Sequence, residues 1–178
     1  MAFPTIRRLA KQTLTLSGKI LLFLIEQGDD LLFEMNNPAL CSLMDIDDAK
    51  RYLHRKYTYL PRPIRRLTKN NLIEIRRKGN TILIKLTKDG KIAATQLKIA
   101  RHKQRLGRGN ELIIIFDIPE SVSNVRKAFR QSLKRMGFYR IQFSVWGTRK
   151  NIIVPLREYL TLLRIDKWVS MYISKQIT

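Results

Sequence analysis

The stretch from Pro61 to Leu86 constrains this chain most. Pro61 and Pro63 fit a helix only within its first turn, because further in each would remove a hydrogen bond and press on the preceding turn. A helix that starts there runs on through Ile64 and Leu67 to about Asn70, where Asn71 can end it. Ile64 and Leu67, with the following Leu72, face inward. Arg65, Arg66 and Lys69, one, three and four residues apart, then share the opposite face. Leu72-Ile73-Glu74-Ile75-Arg76-Arg77 reads as a strand, Lys78-Gly79-Asn80 as a tight turn, and Thr81 to Leu86 as the returning strand. A helix from Thr87 through Ile99 follows, with Thr87 as its N-cap.

Two helices are expected ahead of this stretch. Leu16, Ile20, Phe23 and Leu24 recur at helical spacing around Ser17-Gly18, and Gly28 with Asp29 stops the pattern. The second runs from Asp45 to about Arg55, with Asp45, Asp47 and Asp48 favoured at the positive end of the helix dipole. A basic helix followed by a hairpin tipped with Arg76-Arg77-Lys78-Gly79-Asn80 has the layout of a winged helix-turn-helix. Such a helix enters the major groove of duplex DNA while the wing reaches phosphate or the minor groove. The DNA-binding residues expected on this reading are Arg62, Arg65, Arg66, Lys69 and Asn70 on the helix, with Arg76, Arg77 and Lys78 on the wing. The competing reading is a solvated hairpin whose charges serve solubility.

Charge bears on that choice. The 178 residues carry 35 Lys and Arg against 14 Asp and Glu, a net charge of +21 and a pI near 10.7. A folded chain accepts such self-repulsion most often for a polyanionic partner. Anionic membrane is the rival polyanion. The longest apolar run, Ile20 to Ile25, is far too short to span a bilayer, and Glu26, Asp29 and Asp30 follow it. Those acids, and the lack of a small-residue cleavage site, also argue against a signal peptide. The single Cys41 allows no intrachain disulfide and reads as a small buried hydrophobe, so a cytoplasmic protein without a membrane partner is expected.

The polar, basic segment Arg101 to Asn110, with two glycines, marks a boundary between a domain of residues 1–105 and one of residues 106–178. Both are basic: residues 1–108 hold 23 cations and nine acids, the remainder 12 and five. Glu111 to Phe116 reads as a strand buried on both faces. Asp117-Ile118-Pro119-Glu120-Ser121 breaks it. The helix that follows places Val125, Ala128, Phe129, Leu133 and Met136 on one stripe, and Gly137 ends it. Ile141, Phe143 and Val145 alternate as a strand through Trp146, with Phe143 and Val145 in the core. Gly147 to Lys150 turns into a strand at Asn151 to Val154, Pro155 opens a helix to Leu163, and Ile165 to Ile173 is the last strand. The order βαββαβ is a ferredoxin-like sandwich, so the expected class is α+β.

The run Ile113 to Glu120, then Val125 to Arg130, Leu133 to Phe138 and Gln142 to Trp146, resembles the CRISPR-associated Cas-two fold. The same fold forms the central domain of the PaaX family of phenylacetate-degradation repressors, and the winged helix in front resembles PaaX rather than a stand-alone Cas-two protein. Together the resemblances cover roughly residues 12–174. They imply a transcriptional regulator that binds duplex DNA as a homodimer, formed through the second domain, on a pseudo-palindromic site. PaaX repressors are released by an acyl-CoA ligand and carry a further C-terminal domain. The sequence given ends after the Cas-two-like fold, so no acyl-CoA effector is expected from the resemblance.

The resemblance also implies an alternative: a metal-dependent nuclease, or a scaffold for CRISPR adaptation with an adaptation partner. In Cas-two nucleases an Asp at the end of the first strand lies near the dimer axis, where two copies hold a divalent metal; Asp117 is the matching position. Such a pair can bind Mg²⁺ and activate water. Asp117 is therefore the candidate catalytic and metal-binding residue of a nuclease, whereas DNA binding requires no cofactor. Against this, Asp117 equally suits a cap or the Asp-Ile-Pro-Glu turn. Other catalytic groupings are missing from the sequence: His54 and His102 are isolated, Ser144 and Ser170 lack a base, and Gly107-Arg108-Gly109 is neither a dinucleotide loop nor a P-loop. Trp146 and Trp168 read as strand residues in the core or a dimer contact. An RNA-binding adaptor is a third reading, weakened by the lack of paired exposed aromatics on the central strands.

Overall fold

The computed structural model describes residues 15–26, 28, 30–34, 62–78 and 81–175, with the backbone alone at residues 30–34, 77, 78, 81 and 82. The helix expected from Asp45 to Arg55, Cys41 and the turn residues Gly79 and Asn80 lie outside the described residues. The chain forms two compact units, Ile6–Ala94 and Thr95–Thr178, and mixes helix and sheet as an α+β protein.

In the first unit, helix α1 (Leu16–Glu26) precedes strand β1 (Asp30–Glu34), and helix α2 (Arg62–Lys69) precedes strands β2 (Ile73–Lys78) and β3 (Thr81–Leu86). The three strands form an antiparallel sheet in the order β1-β3-β2, with Leu32 opposite Leu83 and Ile75 opposite Ile84. Ile20, Leu21 and Leu24 of α1, Ile64 and Leu67 of α2, and Ile73, Ile84 and Leu86 of the hairpin are all buried. Each such side chain contributes roughly 1.5–3 kcal/mol of transfer free energy, which fixes how α2 and the hairpin lie on each other.

The corner between α2 and β2 is set by backbone hydrogen bonds. Asn71 takes the left-handed conformation, φ 54°. Leu72 N–H donates to the Leu67 carbonyl and Asn71 N–H to that of Thr68, each at 2.9 Å. This double closure ends the helix at the residue that the sequence marks for it. Thr87 sits across the corner. Its hydroxyl donates to the Asn71 carbonyl at 2.6 Å and accepts from Gly90 N–H at 2.9 Å, so it caps helix α3 (Lys88–Arg101) as expected. Gly90 leaves no room for a side chain, because a Cβ there would lie 1.9 Å from the Leu72 carbonyl oxygen.

In the second unit, strand β4 (Asn110–Phe116) leads through a 3₁₀ turn at Glu120–Val122 into helix α4 (Ser123–Met136). Strands β5 (Tyr139–Gln142) and β6 (Val145–Thr148), helix α5 (Ile153–Leu163), a 3₁₀ turn at Asp166–Trp168 and strand β7 (Val169–Lys175) follow. The sheet order is β5-β6-β4-β7, all antiparallel. Leu112, Ile114 and Phe116 of β4 are buried with Phe129, Leu133 and Met136 of α4 and Leu156, Tyr159 and Leu160 of α5. Phe116 meets Phe129 edge to face, with centroids 5.1 Å apart.

Four local expectations are corrected. Strand β4 is buried on one face only: Ile115 on the other is 43% exposed, and its uniform run of Ile conceals that asymmetry. Ile141 to Trp146 is no single strand. It is interrupted at Phe143 and Ser144 between β5 and β6, with a register shift between Arg140 and Gln142, so Phe143 is 73% exposed instead of buried. Asn151 to Val154 is no strand, because α5 begins at Ile153 and Pro155 falls inside its first turn, where no N–H partner is lost. The last strand begins at Val169, and Trp168 lies in the 3₁₀ turn before it.

The basic segment after α3 is pinned to the second unit. Asn151 N–H donates to the Gln104 carbonyl at 2.9 Å and Leu106 N–H to that of Arg149 at 2.8 Å. The Lys150 ammonium donates to the carbonyls of Ile99, Ala100 and Met136 at 3.2, 2.6 and 3.0 Å. It thereby satisfies the ends of two helices at once, with a cation where both dipoles are negative. Burial pushes the pKa of this ammonium below the ordinary lysine value.

Candidate nucleic-acid interface

Helix α2 shows on its surface what its sequence period dictates. Ile64 and Leu67 point into the core, and Arg62, Arg65, Arg66, Lys69 and Asn70 are exposed. Arg66 and Lys69 also lie in the last turn, where cations meet the negative end of the helix dipole. Within the same unit, β2 carries the expected wing cations. Arg76 is exposed and lies 4.0 Å from Glu74, a surface pair too loose to hold it. Arg77 and Lys78 belong to β2 by their backbone; their side chains lie outside the described part. The structure thus brings a row of cations onto one face of α2 and continues the chain directly into a basic hairpin, on a sheet whose first strand comes from before the helix.

In the second unit Asp117 follows β4, exposed, with its N–H donating to the Trp168 carbonyl at 2.9 Å. Glu120, the only other carboxylate near it in sequence, is paired with Arg126. Among the described residues no three His, Cys, Asp or Glu side chains come together as a metal site.

A cleft of about 980 Å³ lies in the second unit, lined among others by Lys103, Arg105, Glu111, Tyr139, Arg149 and Lys150. Glu111 accepts from the Tyr139 hydroxyl and, at 2.8 Å, from Arg149 Nε. The Tyr139 bond and then Arg149 hold the Glu111 carboxyl below its usual value of 4.5. Desolvation and the bond to Glu111 push Tyr139 up to about 12. A carboxylate whose native pKa is depressed contributes stability above its unfolded pKa and loses it as pH falls through the native value. Glu111→Gln is expected to flatten the acid limb of the stability curve below about pH 4.5, read by urea unfolding across a pH series. An unchanged acid limb would mean that the triad contributes nothing.

Residues 109–178 match the family model of the PaaX protein central Cas2-like domain. Over this stretch the chain is PaaX-like. The match covers β4 through β7, the part in which Ile113 to Glu120 and Leu133 to Phe138 carried the resemblance. No curated protein matches the chain. Among the described residues no helix is long and apolar enough to cross a membrane.

The sequence missed the exposed group around Phe143 in this PaaX-like unit, where Arg130 and Arg140 approach the ring. The strict alternation of Ile141, Phe143 and Val145 hid the turn, because Phe is no turn signal and Ser only a weaker one than Asn or Asp. The spacing of Arg130 and Arg140 on separate elements left no trace in sequence.

Proposed function

We propose that this protein is a PaaX-like transcriptional regulator that binds duplex DNA through a winged helix-turn-helix in residues 1–105 and forms a homodimer through the ferredoxin-like domain of residues 106–178. The observation that carries this reading is the first unit's sheet, β1-β3-β2, with the basic helix α2 feeding straight into its hairpin. A helix held by Ile64 and Leu67 against that sheet offers Arg65, Arg66 and Lys69 to the major groove, while the hairpin's cations meet the flanking backbone. The strand order β5-β6-β4-β7 supports the ferredoxin-like assignment. The sheet face that carries Ile115 and Tyr172 is partly exposed, which suits a second copy packing there. A DNA-binding regulator of this kind works in the cytoplasm and needs no metal.

The test is selection from a random duplex library with the intact protein and with Asp117→Ala, in Mg²⁺ and in EDTA, scoring enriched sequences and strand breaks together. The expected result is an enriched inverted repeat, no breaks and equal performance of the variant. Metal-dependent breaks lost in Asp117→Ala, without sequence preference, would replace the regulator by a Cas2-like nuclease. Uncut duplex held without sequence preference would favour an adaptation scaffold.

A further inference from the structure

Five groups in the second unit form a continuous stack that runs from the core to the surface. Phe129 meets Phe116 edge to face, and both are buried. The Arg130 guanidinium lies 5.8 Å from the Phe116 centroid and 5.8 Å from that of Phe143. Arg140 lies 5.3 Å from the Phe143 centroid. Arg130 Nε also donates to the Phe143 carbonyl at 3.1 Å. The outer members flank Phe143, a residue that is 73% exposed, at a turn whose backbone shows no positive φ and makes no demand for an aromatic residue.

An exposed ring that the local backbone does not require, with two guanidiniums 5.8 and 5.3 Å from its centroid, has a defined recognition chemistry. Its free surface accepts a flat π-system by stacking, and its cations accept the negative charge attached to one. A nucleotide base with its phosphates supplies both. A second copy that met this patch with its own would bring two more arginines against these two. The unit has 12 cations against five acids from residue 109 onward, so the surrounding field also favours a polyanion.

We infer that Phe143, with Arg130 and Arg140, is a second DNA contact that stacks on a base displaced from the duplex, at a bulge, an end or a kinked step. Paired and stacked bases keep their faces covered, so the contact reads deformation of DNA rather than sequence. It lies outside residues 1–105 and goes beyond groove binding by α2.

The experiment uses the full chain and two DNA duplexes, alike except that one carries an extrahelical 2-aminopurine and the other the same base paired. The protein is expected to quench the bulged fluorophore and to bind that duplex more tightly. Phe143→Ala should abolish the quench and weaken bulge binding about tenfold, leaving the paired duplex unaffected, whereas Phe143→Trp should restore both. Arg65→Ala with Arg66→Ala should weaken both duplexes and leave the quench at saturation, which separates this contact from the groove reading. Phe143→Ala that quenches and binds like the wild type overturns the inference. So does a variant that sediments as a smaller species with its quench intact, because the ring would then belong to an interface between copies.

Discussion

Replacing Arg65 and Arg66 together by alanine is expected to reduce specific duplex binding by about 1–3 kcal/mol for each arginine that meets a base edge. An arginine that touches phosphate alone gives a different signature: binding weakens on every sequence, and the salt slope falls by about one. Both side chains project from the exposed face of α2, and Ile64 and Leu67, each 1% exposed, hold the helix from the other side. Alanine keeps the helix, so unfolding should be nearly unchanged. Fluorescence anisotropy over a salt series, on a selected site and on scrambled DNA, gives affinity and slope in one experiment. Wild-type affinity and slope in the double variant would remove α2 from the interface.

The largest expected effect on stability belongs to Gly90. In an ordinary helix Gly→Ala stabilises by up to about 1 kcal/mol. Here the sign reverses, because the new Cβ would lie 1.9 Å from the Leu72 carbonyl oxygen. That carbonyl cannot easily retreat. It accepts Thr87 N–H at 3.2 Å, and the N–H of the same residue closes the end of α2 on Leu67. Gly90→Ala is expected to cost about 3 kcal/mol, as overpacking against backbone does. In a unit of this size that lowers the melting temperature by at least about 10 °C, read by calorimetry. Because the displaced corner joins α2 to the hairpin, duplex binding should fall with it. Unchanged melting would show that α3 and the corner stand further apart than described.

The two units were legible to different degrees. In the first, α2, its end at Asn71, both hairpin strands and the Thr87 cap could all be read from the chain. Each depends on a local rule: proline restricts the first turn, asparagine tolerates positive φ, and a hydroxyl precedes a helix. The basic face of α2 was equally plain, since helical period alone puts Arg65, Arg66 and Lys69 opposite Ile64 and Leu67. In the second unit, Phe129, Leu133 and Met136 could be read as a stripe, but strand limits could not. Alternation at Ile141, Phe143 and Val145 is the same whether the chain continues or turns back, and a register shift between Arg140 and Gln142 erases the period that would tell the two apart.

The sequence by itself determined the elements that short-range sterics and hydrogen bonding control, the basic character of both halves and the PaaX-like character of the second. Only tertiary structure decided which strand faces lie open, where the hairpin of β5 and β6 reverses, and what surrounds individual cations. Lys150 closes two helix ends that lie 14 and 50 residues away in sequence, and Arg130 joins a buried ring to an exposed one. Such contacts arise from burial and packing between distant segments. Their energy depends on positions in space that no local pattern encodes.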